Sequence, residues 1–444
     1  MPKFETHALS EISDIRISNV DKKSVAGESR VLLCNYMDVY SNEYISSKLD
    51  FMQATATQAE IERFKVEDGD VLITKDSETP YDIGIPAVVV EEIEGLVCAY
   101  HLALLKPDQT RVNSIFLSEQ LAQSETARYF SRFAAGSTRY GLPSKAIAYT
   151  PVRLPSLGIQ RKIACIVQTA DRTIEKTEAL IVKYEQIKAG LMQDLFTRGI
   201  GPDGQLRPSR EQAPELYQGT PIGWIPKAWR ISGVSDILES LVDGPFGSNL
   251  KTEHYVQDPG VRVVRLQNVL EYEYNDSDRA YISEKHASGL LRNQVFPKDV
   301  LIAGLGEERF PVGRSCSYPV DLPPAVNKAD CFRARCIPSI AINKFFMLFL
   351  NSESARKQIR RFEQGVTRPR INTGNLKRLS VPLPTISEQR LMCSKFDAIQ
   401  RRIEVESLGL EKLLKQKNGL MHDLLTGKVP VQVEPEAEPE AAHV

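Results

Sequence analysis

The sequence is poor in the residues and loops that catalysis uses. Its six histidines are scattered through 444 residues, and no His-Glu-x-x-His places two of them on one helical face, so a zincin-type metal centre is excluded. The seven cysteines stand at 34, 98, 165, 316, 331, 336 and 393. Only Cys331 and Cys336 come close, with four residues between them and no second pair or histidine at zinc-ligand spacing. They read as free thiols of a reducing cytosol. A phosphate-cradling Gly-x-x-x-x-Gly-Lys-Ser/Thr loop is missing, and so is a Gly-x-Ser-x-Gly nucleophile elbow. The stretch GIGPDG (199–204) fits a dinucleotide fingerprint by letter. It follows a helical pattern rather than a strand and reads as a turn-rich helix exit. DLPPAVN (321–327) comes nearest to the Asn/Asp-Pro-Pro-aromatic loop of amino-group DNA methyltransferases and lacks the motif, which argues against a self-sufficient methyltransferase. His101 falls in a predicted strand and reads as a packed core residue. No apolar run reaches about 18 residues, so a membrane span is excluded, and the start MPKFETHALSEIS lacks a secretory pattern. A cytoplasmic protein is expected. Charge of one sign is lacking too: 56 Lys and Arg face 57 Asp and Glu, for a net charge of −1. That balance argues neither for nor against a polyanionic partner, because local patches are hidden in the sum.

What the sequence does have is an echo. KAGLMQDLFTRG (188–199) returns as KNGLMHDLLTGK (417–428), 229 residues later. The offset persists upstream: Val152, Leu154, Pro155, Gln160 and Arg161 match Val381, Leu383, Pro384, Gln389 and Arg390, and Arg172, Ile174, Glu175 and Lys183 match Arg401, Ile403, Glu404 and Lys412. Asp70-Val71-Leu72-Ile73 faces Asp299-Val300-Leu301-Ile302, Ile83-Gly84 faces Val312-Gly313, and Phe133, Gly136, Thr138 and Arg139 face Phe362, Gly365, Thr367 and Arg368. The chain is therefore two copies of one unit, a variable module followed by a more similar tail.

The tails read as helices. Positions 163, 167, 170, 174, 177, 181, 184, 188, 191 and 195, and their counterparts from 392 to 424, form an apolar seam with a step of about 3.5 residues. Such a seam pairs with another helix, and two equivalent seams in one chain favour each other as partners. Thr177/Glu406 and Lys188/Lys417 interrupt both seams at the same places, as polar residues that fix register do. Ser387 is the expected N-cap of the second helix, with Glu388 in its first turn; Gly199 and Gly427 mark the two ends. About 38 residues at about 1.5 Å each make a rod of roughly 57 Å. The expected layout is a first module over 1–155, a helix over 156–198, an irregular linker over 199–222, a second module over 223–384, a helix over 385–428 and an acidic, disordered tail over 429–444. Strand-like runs (RVLLCNYMDV, DGDVLITKD, VRVVRLQNV, PKDVLIAGL) precede helices at about 113–134 and 341–363, so each module is α+β.

The copies share no catalytic constellation. They do share positive charge near the end of each module. The second carries Arg360, Arg361, Arg368 and Arg370, and the first carries Arg128, Arg132, Arg139 and Lys145, with Gly-x-Thr-Arg in both. Such residues neutralise phosphates, and arginine also reads guanine with two hydrogen bonds. The loop DGPFGSNLKTEHY (243–255) adds Ser248, Asn249 and Lys251 as candidate contacts to phosphates or base edges. A coiled-coil adaptor that binds proteins and lacks DNA specificity is the rival reading.

Two variable modules, two similar helical tails and the phrases LPTISEQR and GLMHDLLTGK resemble the specificity subunit of type I restriction–modification systems, from about residue 10 to about 430. IGWIPKAWR and DGPFGSNL are similar to the opening of a target-recognition module in that family; the first copy lacks an Ile-Pro-x-x-Trp opening, so its first strand is expected to be shortened or differently built. The resemblance implies two mixed modules separated by an antiparallel helix pair. It implies a DNA reader without catalysis or cofactor of its own. Two methyltransferase subunits would dock on it and use S-adenosylmethionine, and two restriction/translocase subunits would use ATP and Mg. Each module would read half of a split, asymmetric target on double-stranded DNA, with half-sites about one DNA turn apart, ~34–36 Å.

Overall fold

A computed structural model describes residues 4–307 and 309–432, with the side chain of Ser248 outside the described set. The tail beyond Gln432 also lies outside it. The chain divides into two compact units, one of residues 1–178 with 408–444 and the other of residues 179–407. Each of the two long helices, Leu157–Thr197 and Ile386–Leu425, contributes to both.

In the first unit a five-stranded sheet runs in the order Ser13–Ile17, Leu102–Pro107, Val71–Thr74, Pro86–Val89, Tyr44–Ile45. A three-stranded sheet of Met52–Ala56, Ser29–Cys34 and Leu96–Cys98 packs with it. In the second unit the corresponding sheet runs Leu238–Val242, Cys331–Cys336, Val300–Ala303, Ser315–Ser317. A further five-stranded sheet is built around Val261–Val264. The repeated Asp-Val-Leu-Ile now has a reason. Val71–Thr74 and Val300–Ala303 are buried on both faces, which suits an apolar, β-branched run. The aspartate before each run closes the turn that enters the strand: Asp70 accepts the Glu67 N–H at 2.8 Å and Asp299 accepts the Phe296 N–H at 2.7 Å. The same carboxylates pair with the neighbouring strand, through Lys106 at 2.8 Å and Arg335 at 2.7 Å. Gly84 and Gly313 have φ of +79° and +78°, and a Cβ there would strike Phe130 at 2.2 Å or Ile359 at 2.6 Å. Only glycine meets both demands.

Each predicted helix near the end of a module is two helices, Ser114–Leu121 with Ser124–Phe133 and Asn343–Leu350 with Glu353–Arg360. In the second copy Ser352 makes the break, capping the following helix by accepting the Ala355 N–H at 3.3 Å. RVLLCNYMDV also splits, into the strand Ser29–Cys34 and a short helix, Tyr36–Tyr40. The first copy's opening strand is not curtailed. Glu5–Ala8 pairs antiparallel with Pro151–Leu154, as Arg230–Gly233 does with Ser380–Leu383. Phe4 stands where the second copy has Trp229, and both rings lie against the positive-φ glycine that ends a long helix, Gly427 and Gly199. His101 is no core residue. It lies half-buried in the turn before Leu102–Pro107, with Nδ1 2.8 Å from Asp76.

The helices start from one device, used twice. Gln160 is 1% exposed; its Oε1 accepts the Asn113 N–H at 2.9 Å, and its Nε2 donates to the Arg111 and Pro155 carbonyls at 3.1 and 2.9 Å. Gln389 is 0% exposed and repeats the set on Ile342, Ile340 and Pro384 at 2.9, 3.1 and 3.1 Å. Thr385, not Ser387, caps the second helix, because its hydroxyl accepts the Glu388 N–H at 3.3 Å. Glu388 instead turns inward to Arg207, 2.9 Å away, and to the Ile200 N–H.

Along the first helix every seam position is buried or half-buried. On the second the seam fails at one place: Leu420 is 45% exposed and Met421, one residue on, is 7%. A straight helix drifts by about 20° per heptad from a 3.5-residue repeat, so late in the helix the inward residue comes one position later. In the first unit Ile163 and Val167 share a core with Met421, Leu424 and Leu425, and Lys417 Nζ lies 2.6 Å from Asp171. In the second, Met192, Leu195 and Phe196 share a core with Met392, Cys393 and Phe396, and Lys188 Nζ lies 3.4 Å from Gln400. The helices therefore run antiparallel within each unit. Both seam lysines are engaged at equivalent places: Lys417 also reaches Glu43 at 2.7 Å, and Lys188 lies 5.7 Å from the Tyr272 ring. Glu119 closes the cluster around Lys417. Burial raises its carboxyl to about 8, against the pull of Lys417.

Replacing Gln389 with Leu leaves three buried backbone groups unpaired, and a loss of at least about 2 kcal/mol is expected in chemical denaturation. Gln160→Leu should act alike. Glu119 holds a proton in the folded state that the unfolded chain releases. Its contribution is full below its ordinary pKa and is lost as pH rises toward about 8. Glu119→Gln should therefore flatten the fall of Tm between about pH 5 and pH 8; an unchanged slope would refute the assignment.

Candidate nucleic-acid interface

In the second module three loops meet beyond the ends of the buried strands. The Gly-x-Thr-Arg segment forms a tight turn, closed where Gln364 and Arg370 exchange N–H···O bonds of 2.9 and 2.8 Å. It is stitched to the loop after Val300–Ala303, for Gly306 donates to the Pro369 carbonyl at 2.9 Å and Ile371 to Gly304 at 2.9 Å. Gly304 in turn donates to the Asp330 carbonyl at 2.7 Å. Arg370 lies 2.7 Å from the Asp330 carboxylate. The N–H groups of Asp330 and Gly244 both donate to Asp243, at 3.0 and 2.7 Å. Burial raises the Asp243 carboxyl to about 6, opposed by those two N–H groups and by Arg370, with Asp330 adding to the rise. A Cβ on Gly244 would meet the Lys328 carbonyl oxygen at 2.1 Å, so the start of the 243–255 loop requires glycine.

That loop is fixed along its length. Lys328 Nζ lies 3.0 Å from the Tyr255 hydroxyl, and the imidazoles of His254 and His286 stack at 4.1 Å. The Lys251 N–H donates to His254 Nδ1 at 3.0 Å, and the Asn249 carbonyl is 2.8 Å from His286 Nε2. Lys251 and Asn249 are exposed, and Ser248 sits with Asn249 in the turn Gly247–Asn249.

The first module has the same frame. Ala135 and Gly141 exchange bonds of 3.0 and 2.9 Å, Leu142 donates to the Lys75 carbonyl at 2.8 Å, and Lys75 to that of His101 at 3.0 Å. Gly136, with φ +146°, leaves no room for a side chain against the Arg139 carbonyl. The side chains differ. Asp76 holds His101 and Lys75, each at 2.8 Å, and Tyr40 donates to Asp82 at 2.6 Å. Tyr81 projects, 83% exposed.

The candidate residues separate. Arg139 and Arg368 occupy the tips of the two turns, and both are exposed. Arg370 is committed to Asp330. Lys145 is exposed on Ser144–Ala148, the helix that follows the first turn. Arg128 lies elsewhere, bordering a pocket with His422 and Thr426. Arg132 is exposed on the last turn of the same helix. Arg360 faces Glu353 at 3.9 Å and Arg361 caps that helix. Arg356, part of the same charge run, is buried and donates to the Val312 carbonyl at 2.8 Å. Asp243, Lys328 and Asp330 escaped sequence reading, for nothing in the repeat marks them; only the glycine at 244 hinted at a close approach. A set of exposed cations on glycine-fixed turns can neutralise phosphates and approach base edges. Among the described residues no helix is long and apolar enough to cross a membrane.

Comparison with known proteins agrees with this architecture. The model of the type I restriction modification DNA specificity domain matches residues 1–186 and 228–416. The chain is 24% identical over 436 residues to the putative type I restriction enzyme MjaX specificity subunit of Methanocaldococcus jannaschii, covering 97% of this chain and 94% of that protein. It is 25% identical over 288 residues to the MjaVIII specificity subunit of the same organism, covering 63% of this chain and 62% of that one. The fold is similar to the type I restriction–modification S subunit of M. genitalium, with a TM-score of 0.54 at 11% identity over 95% of this chain and 96% of that one. It is also similar to a chain from a study of complex assembly and conformational transition in the type I R-M system, with a TM-score of 0.57 at 16% identity over 97% and 99%. With both modules matched, the chain belongs to the type I restriction modification DNA specificity family, and its part is sequence recognition rather than catalysis.

Proposed function

We propose that the two modules read the two halves of one asymmetric target on double-stranded DNA, within a restriction–modification complex. Two methyltransferase subunits bind this chain and bring S-adenosylmethionine; two restriction/translocase subunits bring ATP and Mg. The observation that carries the reading is the three-loop junction, built twice on the same backbone bonds and furnished with different side chains. A common frame with unlike contacts suits two unlike half-sites. The helix pair serves as the spacer between them.

Co-expressing the chain with its methyltransferase partner and mapping adenine methylation by long-read sequencing should give one split motif with two different halves. Scattered methylation, or none, would count against it. Deleting one heptad at matched points from both long helices, about 10 Å of rise, should change the spacer of that motif and leave the halves alone. Arg139→Ala should lower the salt slope of DNA binding by about one while weakening all sequences alike.

A further inference from the structure

Beside the tip of the second module's turn lies a cleft of about 430 Å³, with Leu266, Gln267 and Asn275 on one wall and Gly306, Phe310 and Arg368 on the other. Its walls cannot drift apart, because one buried arginine ties them. Arg314 is 6% exposed. It donates to the Val269 and Leu266 carbonyls at 2.7 and 3.2 Å on one side, and to those of Leu305, Phe310 and Pro311 at 3.1, 3.2 and 3.3 Å on the other. Asn275 is occupied, donating to the Gln267 carbonyl at 3.1 Å and accepting from Ser277. The Gln267 amide and the Arg368 guanidinium are different. Both are exposed at the cleft, and neither has a side-chain partner among the described residues. Two unengaged planar hydrogen-bonding groups on a braced frame are suited to base edges rather than to holding the fold.

The first module bridges the equivalent elements with other side chains. Ile85 stands where Arg314 does. Tyr36 and Tyr40 stack at 5.4 Å, Tyr36 bonds to Ser77 and Tyr40 to Asp82. The turn-tip arginine is kept as Arg139, but position 267 corresponds to Asp38, whose carboxylate accepts the Asn35 N–H at 2.7 Å.

We infer that this cleft is the base-reading element of the second module, with Gln267 specifying an adenine and Arg368 a guanine on neighbouring base pairs. A glutamine amide matches N6 and N7 of adenine, and a guanidinium matches O6 and N7 of guanine, each through paired bonds in the major groove. Arg314 is a positioning residue that holds both readers to one frame. The inference rests on the proposed DNA-reading role and names the chemistry of one half-site.

The test is the methylation motif made by the whole complex carrying Gln267→Ala, Arg368→Ala or Arg368→Lys. Gln267→Ala should relax one A·T position of one half-site, and either Arg368 change should relax one G·C position of that half, with discrimination falling about tenfold to a hundredfold. The other half-site serves as the internal standard of an intact complex. Arg368→Lys keeps the charge and loses the fork, so it should relax the motif while methylation continues. A uniform loss of rate with an unchanged motif would make Arg368 a phosphate contact and overturn the inference, as would wild-type motifs from Gln267→Ala and Arg368→Lys. Failure of the wild-type complex to give a split motif would instead strike the DNA-reading role itself.

Discussion

The structure depends on a primary amide placed where no water reaches. A helix that leaves a module must bury its first turn, and buried backbone N–H and C=O groups need partners. Gln160 and Gln389 supply one acceptor and two donors to the same three backbone groups in each copy. The pairing fixes where the helix begins and how its first turn meets the module. With the start fixed, the positions of Ile163 and Met392 in their cores follow, and so does the phase of the whole seam. Asparagine would be too short to span these partners, and glutamate could not donate.

The seam then meets a second constraint. Each helix carries a lysine at the matching place, and the lysine needs an electron-rich neighbour because it is largely withdrawn from water. One finds Asp171 and Glu43 on other elements, the other Glu185 on its own helix with Gln400 and the face of Tyr272. The positions are equivalent and the chemistry is not. At the first site burial, more than the neighbouring carboxylates, keeps Glu119 protonated near neutrality, whereas the second site gives its lysine one carboxylate, an amide and a ring. The duplication thus preserves geometry while each copy's interactions diverge, as the loop tips also do.

Much of the architecture could be read from the sequence because helical seams and strand runs are periodic, and period survives without knowledge of contacts. The duplication added a second reading of every element: Val71–Ile73 and Val300–Ile302 vouched for each other. What stayed hidden was non-periodic. The break before Glu353 rests on a single cap, Ser352, and Phe4 for Trp229 is a substitution by role across unlike sequence. The cations near the end of the second module lie close together in sequence, yet Arg356 faces inward and Arg370 is bound to Asp330. Composition cannot separate a cation that builds a loop from one left over for a ligand. Arg368 and Gln267 stand out only once their neighbours have been paired off.

The division of each long helix between two compact units has a consequence for synthesis. The unit made of residues 179–407 is contiguous, so all its parts are at hand before translation ends. The other is not: the core around Ile163 and Val167 is completed by Met421, Leu424 and Leu425. Residues 1–178 are made before the segment that completes their core, so the apolar face of Ile163 and Val167 stays uncovered until Met421, Leu424 and Leu425 have followed.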